Sequence, residues 1–176
     1  MTTLFTHAAV PLMLGAALGR RTISGRLLAA GAIAAMLPDA DVLAFPLHIP
    51  YADAFGHRGA THSICFAVLL AALAGLGHRW LVSTPRVAAL FVGLATLSHA
   101  LLDACTDGGL GVALGWPISD TRWFAPFHPI AVSPIGARFF SERGLHVLVS
   151  EFYWVWLPTA VLALGIVLWQ RASKRP

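Results

Sequence analysis

Apolar stretches recur along this 176-residue chain, at residues 4–18, 27–45, 61–76, 87–103 and 152–169. Inside hydrocarbon a backbone N–H or C=O finds no partner outside its own segment, so such stretches must close their hydrogen bonds as helices. Composition agrees. The chain is 57% hydrophobic and only 11% charged, with a mean hydropathy of +0.73, whereas soluble domains carry about 25% charged residues. The expected fold is all-α: one domain over 1–176, an integral membrane bundle of about four to five transmembrane or re-entrant helices, with a long outer loop at about 107–150. The first stretch is the shortest. About 15 residues of helix cover roughly 22 Å of a roughly 30 Å hydrocarbon core, which implies tilting into a thinned region or a re-entrant course. No charge precedes Arg20, so a cleaved secretory signal is not expected and the N-terminus should be retained.

The net charge is +4 with a pI near 9.8, but the basic residues are divided between several connections and form no nucleic-acid motif. Nucleic acid is therefore not an expected partner; the lipid bilayer is. Arginines gather at 19–26 and 79–86, and Arg171, Lys174 and Arg175 follow the last stretch. The positive-inside rule puts those connections in the cytoplasm. Alternate threading then places the N-terminus and the 107–150 loop on the outer face of a multi-pass protein of the inner (cytoplasmic) membrane.

The same threading brings His7, Asp39, Asp41, His57, His62, His99 and Asp103 to that outer face. Carboxylates and imidazoles are costly beside hydrocarbon and usually have a function when they occur there. His99 and Asp103 stand at i and i+4 and leave one helix face. Arg58, Thr61, His62 and Cys65 share another. Pro38 should end or kink the second helix and, in an extended stretch, Asp39 and Asp41 would point the same way. His7, Asp41, His62, His99 and Asp103 are the metal-ligand candidates. A mixed His and Asp set suits zinc first and manganese second, as one or two ions, rather than calcium. Such a site brings the pKa of a bound water towards ~7 and directs it at an ester or phosphoester. Asp39 or His57 is then the candidate proton acceptor and Arg58 the candidate phosphate clamp; the location suggests a lipid-linked substrate.

These residues resemble a known family, the YdjM-like, inner-membrane-associated metal-dependent hydrolases, described as LexA-binding. The resemblance rests on Leu37-Pro38-Asp39-Ala40-Asp41, on Phe55-Gly56-His57-Arg58-Gly59-Ala60-Thr61-His62-Ser63, and on Leu97-Ser98-His99 through Asp103 with Thr106 and Gly108-Gly109. It implies a metal-dependent hydrolase and fixes no substrate, and no residue carries LexA binding over. The ligand order is also similar to that of zinc-dependent phospholipases C and nucleases: His7, then Asp41 or Asp39, His62, and His99 with Asp103. That similarity assigns Asp41, His62, His99 and Asp103 to a first ion and His7 with a bridging Asp103 to a second. The chain departs from that group later, where His128 and the pair His146 and Glu151 replace its further ligands.

Other readings compete. Asp39 after Pro38 also suits a helix or turn cap. His48 and His78 read as interfacial, and His128 and His146 serve either the loop's own packing or the site. The loop carries Trp116, Trp123, Phe124, Phe127, Arg122 and Arg138, and reads as a membrane-surface lid or as a cover for helix ends. Cys65 and Cys105 are expected in the core. A non-catalytic protein using the same cluster for ions, protons or assembly is the alternative function, although no inverted repeat of the kind transporters show is present.

Overall fold

A computed structural model describes residues 1–173; Lys174 and Arg175 of the basic tail lie outside the described residues. Four helices start alike. Thr3, Ser24, Ser63 and Thr84 take extended backbone, and each side chain accepts a hydrogen bond from the main-chain N–H three residues on, satisfying one of the donors a helix start leaves open. They launch α1 (Leu4–Leu18), α2 (Gly25–Met36), α3 (Ile64–Leu76) and α4 (Pro85–Ala104). Pro38 lacks an N–H, and at that point α2 tightens into a 3-10 segment, Leu37–Ala44. Among the described residues the fold is helical, with three runs long and apolar enough to cross a membrane: Gly25–Ala44, Pro85–Ala104 and Glu142–Ala172. The other two apolar helices, α1 and α3, are shorter.

Small residues set the packing. A Cβ on Gly15 of α1 or Gly31 of α2 would run into the ring of Phe91, and one on Gly93 of α4 would meet Ala71 of α3. Backbones that approach this closely gain van der Waals contact, which is what associates helices in lipid. Ile23, Leu27, Ala74, Leu81, Ala88 and Val92 form the buried apolar cluster towards the arginine-bearing turns. There Ser24 and Arg26 donate to the carbonyls of Leu81 and Trp80, tying the two turns together. The opposite end, where α1 and α3 begin and α2 and α4 finish, is polar.

The last helical run starts at Glu142 rather than near 152. It comprises α5 (Glu142–Glu151), a π-helical turn (Phe152–Trp156) and α6 (Leu157–Ala172). Residues 142–151 were expected in the loop because they are not continuously apolar. They are amphipathic instead, burying Gly144, Val147 and Glu151 at helical spacing while His146 stays exposed. No residue of α6 is buried, so its apolar surface is available to lipid.

The connection at 105–141 folds back over the polar end. Isolated bridges join Thr106 to Ile130 and Val112 to Trp123. Main-chain bonds from Ala113 to Arg58 and from Ile64 to Leu114 fasten it to the segment before α3. Val112, Ala113, Ile130 and Ala131 are the connection's own buried apolar residues.

Candidate metal centre

Where the polar ends meet, four buried side chains converge. His7, Asp39, His99 and Asp103 each offer a ligand atom, all within 4.8 Å of one another. His7 Nε2 is 3.4 Å from Asp103 Oδ1 and 3.7 Å from Asp39 Oδ2, and His99 Nε2 is 3.6 Å from Asp39 Oδ1. The His7 and His99 rings stack with centroids 3.6 Å apart. His62 closes the group: its Nε2 is 2.9 Å from His99 Nε2 and 3.5 Å from Asp103 Oδ2.

The far sides of two imidazoles are held. His99 Nδ1 is 2.7 Å from the Ala35 carbonyl. A carbonyl only accepts, so Nδ1 carries the proton and Nε2 turns its lone pair to the cluster. His62 Nδ1 lies 3.2 Å from Asp41 Oδ2, an equivalent arrangement. Metal-ligating histidines are oriented in this way. Burial alone would lower the His62 pKa, but the neighbouring Asp103 and Asp41 carboxylates outweigh burial and raise it above the ordinary histidine value.

The two aspartates beyond Pro38 have different neighbours. In the 3-10 segment their side chains do not share the direction an extended stretch would give. Asp41 accepts from Arg58 N and Thr61 Oγ1, each at 2.8 Å, and pairs with His57 Nδ1 at 2.5 Å. Asp39 has no hydrogen-bond partner on either oxygen, and Asp103 Oδ2 has none, though all three atoms are buried. Asp39, Asp41 and His57 make a second group with ligand atoms within 4.8 Å. Unpaired buried carboxylate oxygens beside inward-facing imidazole nitrogens are the donor set a divalent cation fits.

Arg58 is buried, and its guanidinium is engaged by the protein. Nη1 donates to the Gly108 carbonyl at 2.9 Å and Nη2 to Thr106 Oγ1 at 3.0 Å, while Nε is 3.1 Å from Asp103 Oδ2 without an aligned hydrogen. Its backbone is left-handed, φ 62°, which is uncommon outside glycine. Asp41 accepts the Arg58 N–H, and the Ala113 N–H donates to the Arg58 carbonyl, so both flanking peptide groups are fixed.

Comparison with known proteins agrees with these motifs. The family described as YdjM inner membrane protein matches residues 1–174. The chain belongs to that family. It is similar to the inner membrane protein YbcI of Escherichia coli K12, 47% identical over 97% of this chain and 99% of YbcI. It is also 34% identical to the inner membrane protein YdjM of the same strain, over 68% of this chain and 57% of that protein. The match to YdjM of Shigella flexneri has the same extent. No solved structure matches at a significant level.

In this YdjM-family protein the N-terminal residues join the site, which sequence reasoning missed. The Thr2 N–H donates to Asp103 Oδ1 at 2.8 Å, and Thr2 Oγ1 is 2.6 Å from His7 Nε2. Thr3 and Thr6 hydroxyls both donate to Glu151 Oε2 at 2.6 Å, and Trp156 Nε1 donates to Thr6 Oγ1 at 2.7 Å. The available signal was the run of hydroxyls at Thr2, Thr3 and Thr6 ahead of His7. Arg122 pins the loop before α3 by donating to the carbonyls of His57, Tyr51 and Asp53. His128 and His146 are exposed and make no part of the four-residue group. Cys65, expected in the core, is exposed on α3, and Cys105 is partly buried, without a disulfide.

Proposed function

We propose that this protein is a membrane-embedded, metal-dependent hydrolase acting on an ester or phosphoester, with His7, Asp39, His99 and Asp103 as metal ligands and His62 at the edge of the set. The observation that carries this reading is the group of buried carboxylate oxygens, both of Asp39 and Oδ2 of Asp103, that lack any hydrogen-bond donor. A buried carboxylate without a partner is costly, and a cation among these oxygens and imidazoles removes the cost. Zinc suits the mixed nitrogen and oxygen donors best, with manganese second. Bound there, the ion supplies Lewis-acid polarisation of the substrate oxygen and activation of water.

The remaining roles belong to side chains around the ligands. Asp41 aligns His62 and His57. His57, backed by Asp41, is the proton acceptor. Arg58 balances the charge of Asp103 and holds the Thr106 to Gly108 turn rather than a substrate phosphate. One ion is favoured over two, because Asp41 already accepts from Arg58 and Thr61. The arginine-bearing turns lie at the far end, which under the positive-inside rule supports a site on the outer face of the inner membrane.

Elemental analysis of protein purified in detergent without chelator tests the reading, beside His62→Ala and Asp103→Ala. Bound zinc or manganese in the wild type, lost in Asp103→Ala, supports it. No metal after reconstitution makes the cluster a helix-packing or proton-handling device and overturns it.

A further inference from the structure

The candidate ligands are buried, so a substrate must reach them through a neighbouring opening. A cavity of about 480 Å³ adjoins them, within the roughly 300–1,000 Å³ usual for ligand sites. Asp39 lines it, and Leu4, Phe5, Met36, Val42, Ile135 and Phe139 supply apolar walls. Met1 lines it too, and the two side-chain hydroxyls on its wall are committed elsewhere: Thr3 donates to Glu151, and Ser133 donates to the Pro134 carbonyl. A polar substrate body placed here would leave its own groups unpaired, at a cost hydrocarbon does not incur. Phe5 and Phe140 also line the cavity and are 67% and 87% exposed. The cavity is thus apolar out to its surface-exposed side chains and acidic where it meets the ligand group.

We propose that this cavity takes one hydrocarbon chain of a membrane lipid, entering sideways from the bilayer past Phe5 and Phe140. The bond between chain and headgroup then stops beside Asp39, and the chain trails through the cavity into the leaflet. Its use in hydrolysis rests on the reading above; chain binding stands on the cavity itself. The substrate class is accordingly a lipid ester or phosphoester, and a water-soluble ester lacking a long chain is excluded.

The test is photo-crosslinking of the full-length protein in vesicles of phosphatidylethanolamine and phosphatidylglycerol, using phosphatidylethanolamine with a diazirine on one acyl chain. Labelled peptides are mapped by mass spectrometry, with metal content measured on the same samples. The expected result is labelling of the 36–42 and 133–139 regions several-fold above that of Val161 and Leu168 on lipid-facing α6. Ile135→Trp and Val42→Trp, which fill the cavity, should each remove that excess and leave α6 labelling unchanged. Cavity labelling no higher than on α6 in the wild type overturns the proposal, whatever the variants do. Excess labelling that both tryptophans leave intact overturns it too, since the probe is then elsewhere. Cavity labelling in a protein that binds no metal sustains the lipid site while the hydrolase reading fails, so the two failures are distinct.

Discussion

His62 Nε2 and His99 Nε2 lie 2.9 Å apart, although their far nitrogens are held by the Asp41 carboxylate and the Ala35 carbonyl. With both far nitrogens protonated, each Nε2 would present a lone pair to the other. Two lone pairs at that separation repel, so the pair needs a cation between or beside them, either a shared proton or a metal ion.

Proton and metal should therefore compete. In the metal-free protein the raised His62 pKa contributes stability that is fully present below the ordinary histidine value of about 6.5 and is lost as pH rises through the raised value. Metal binding requires the neutral imidazole and strengthens in the opposite direction. The rise in melting temperature on adding zinc should grow with pH across this window, and calorimetric titration should register proton release. A zinc-induced shift that shrinks as pH rises would contradict the competition.

Asp39 and Asp41 should separate by function. Asp39→Asn removes the charge from a candidate ligand with no hydrogen-bond partner and should abolish stoichiometric binding. Asp41→Asn acts through His62 and should weaken binding by about 10–100-fold without eliminating it. Equilibrium dialysis with zinc resolves the two, and equal losses would place both carboxylates in the same role.

Arg58→Ala removes the guanidinium that lies beside the buried Asp103. Breaking such a pair costs about 3–5 kcal/mol, so the metal-free variant should unfold at markedly lower denaturant. Added metal should restore part of the loss by supplying charge. Tryptophan fluorescence in detergent measures both, and Arg58→Lys should rescue less than charge alone would predict, because the contacts to Thr106 and Gly108 need the guanidinium fork.

Glu151→Ala strips the acceptor from the Thr3 and Thr6 hydroxyls and from the Thr3 N–H. Each buried donor left unsatisfied costs about 1–3 kcal/mol. The melting temperature should fall while bound metal per chain stays as in the wild type; loss of metal without destabilisation would make Glu151 part of the centre.

Much of this was legible in the sequence, for identifiable reasons. Membrane-grade hydropathy announces the spans, and the i, i+4 spacing of His99 and Asp103 survives folding because helix geometry is local. The roles of Asp39 and Asp41 were not legible: whether Pro38 is followed by extended chain or a 3-10 turn decides which neighbour each carboxylate meets. The contacts Arg58 makes with Thr106 and Gly108 were not legible, because those partners come from a loop 48 and 50 positions away. The helix at 142–151 was hidden because amphipathic residues resemble loop in a hydropathy scan. The Thr3 and Glu151 pairing spans 148 positions, beyond what local pattern carries.

That pairing also bears on biosynthesis. By the time α4 is complete, the chain has delivered His7, Asp39, His62, His99 and Asp103, yet Thr3 and Thr6 still await Glu151. Since chains emerge from the ribosome N-terminal end first, the start of α1 can meet Asp103 through the Thr2 N–H as soon as α4 is made, but its Thr3 and Thr6 hydroxyls gain their acceptor only when the final helix docks. Stability of the first helix start is thereby tied to completion of the whole bundle: a truncated or stalled chain has every candidate ligand, yet leaves two buried hydroxyls at the start of α1 without the acceptor they use in the finished fold.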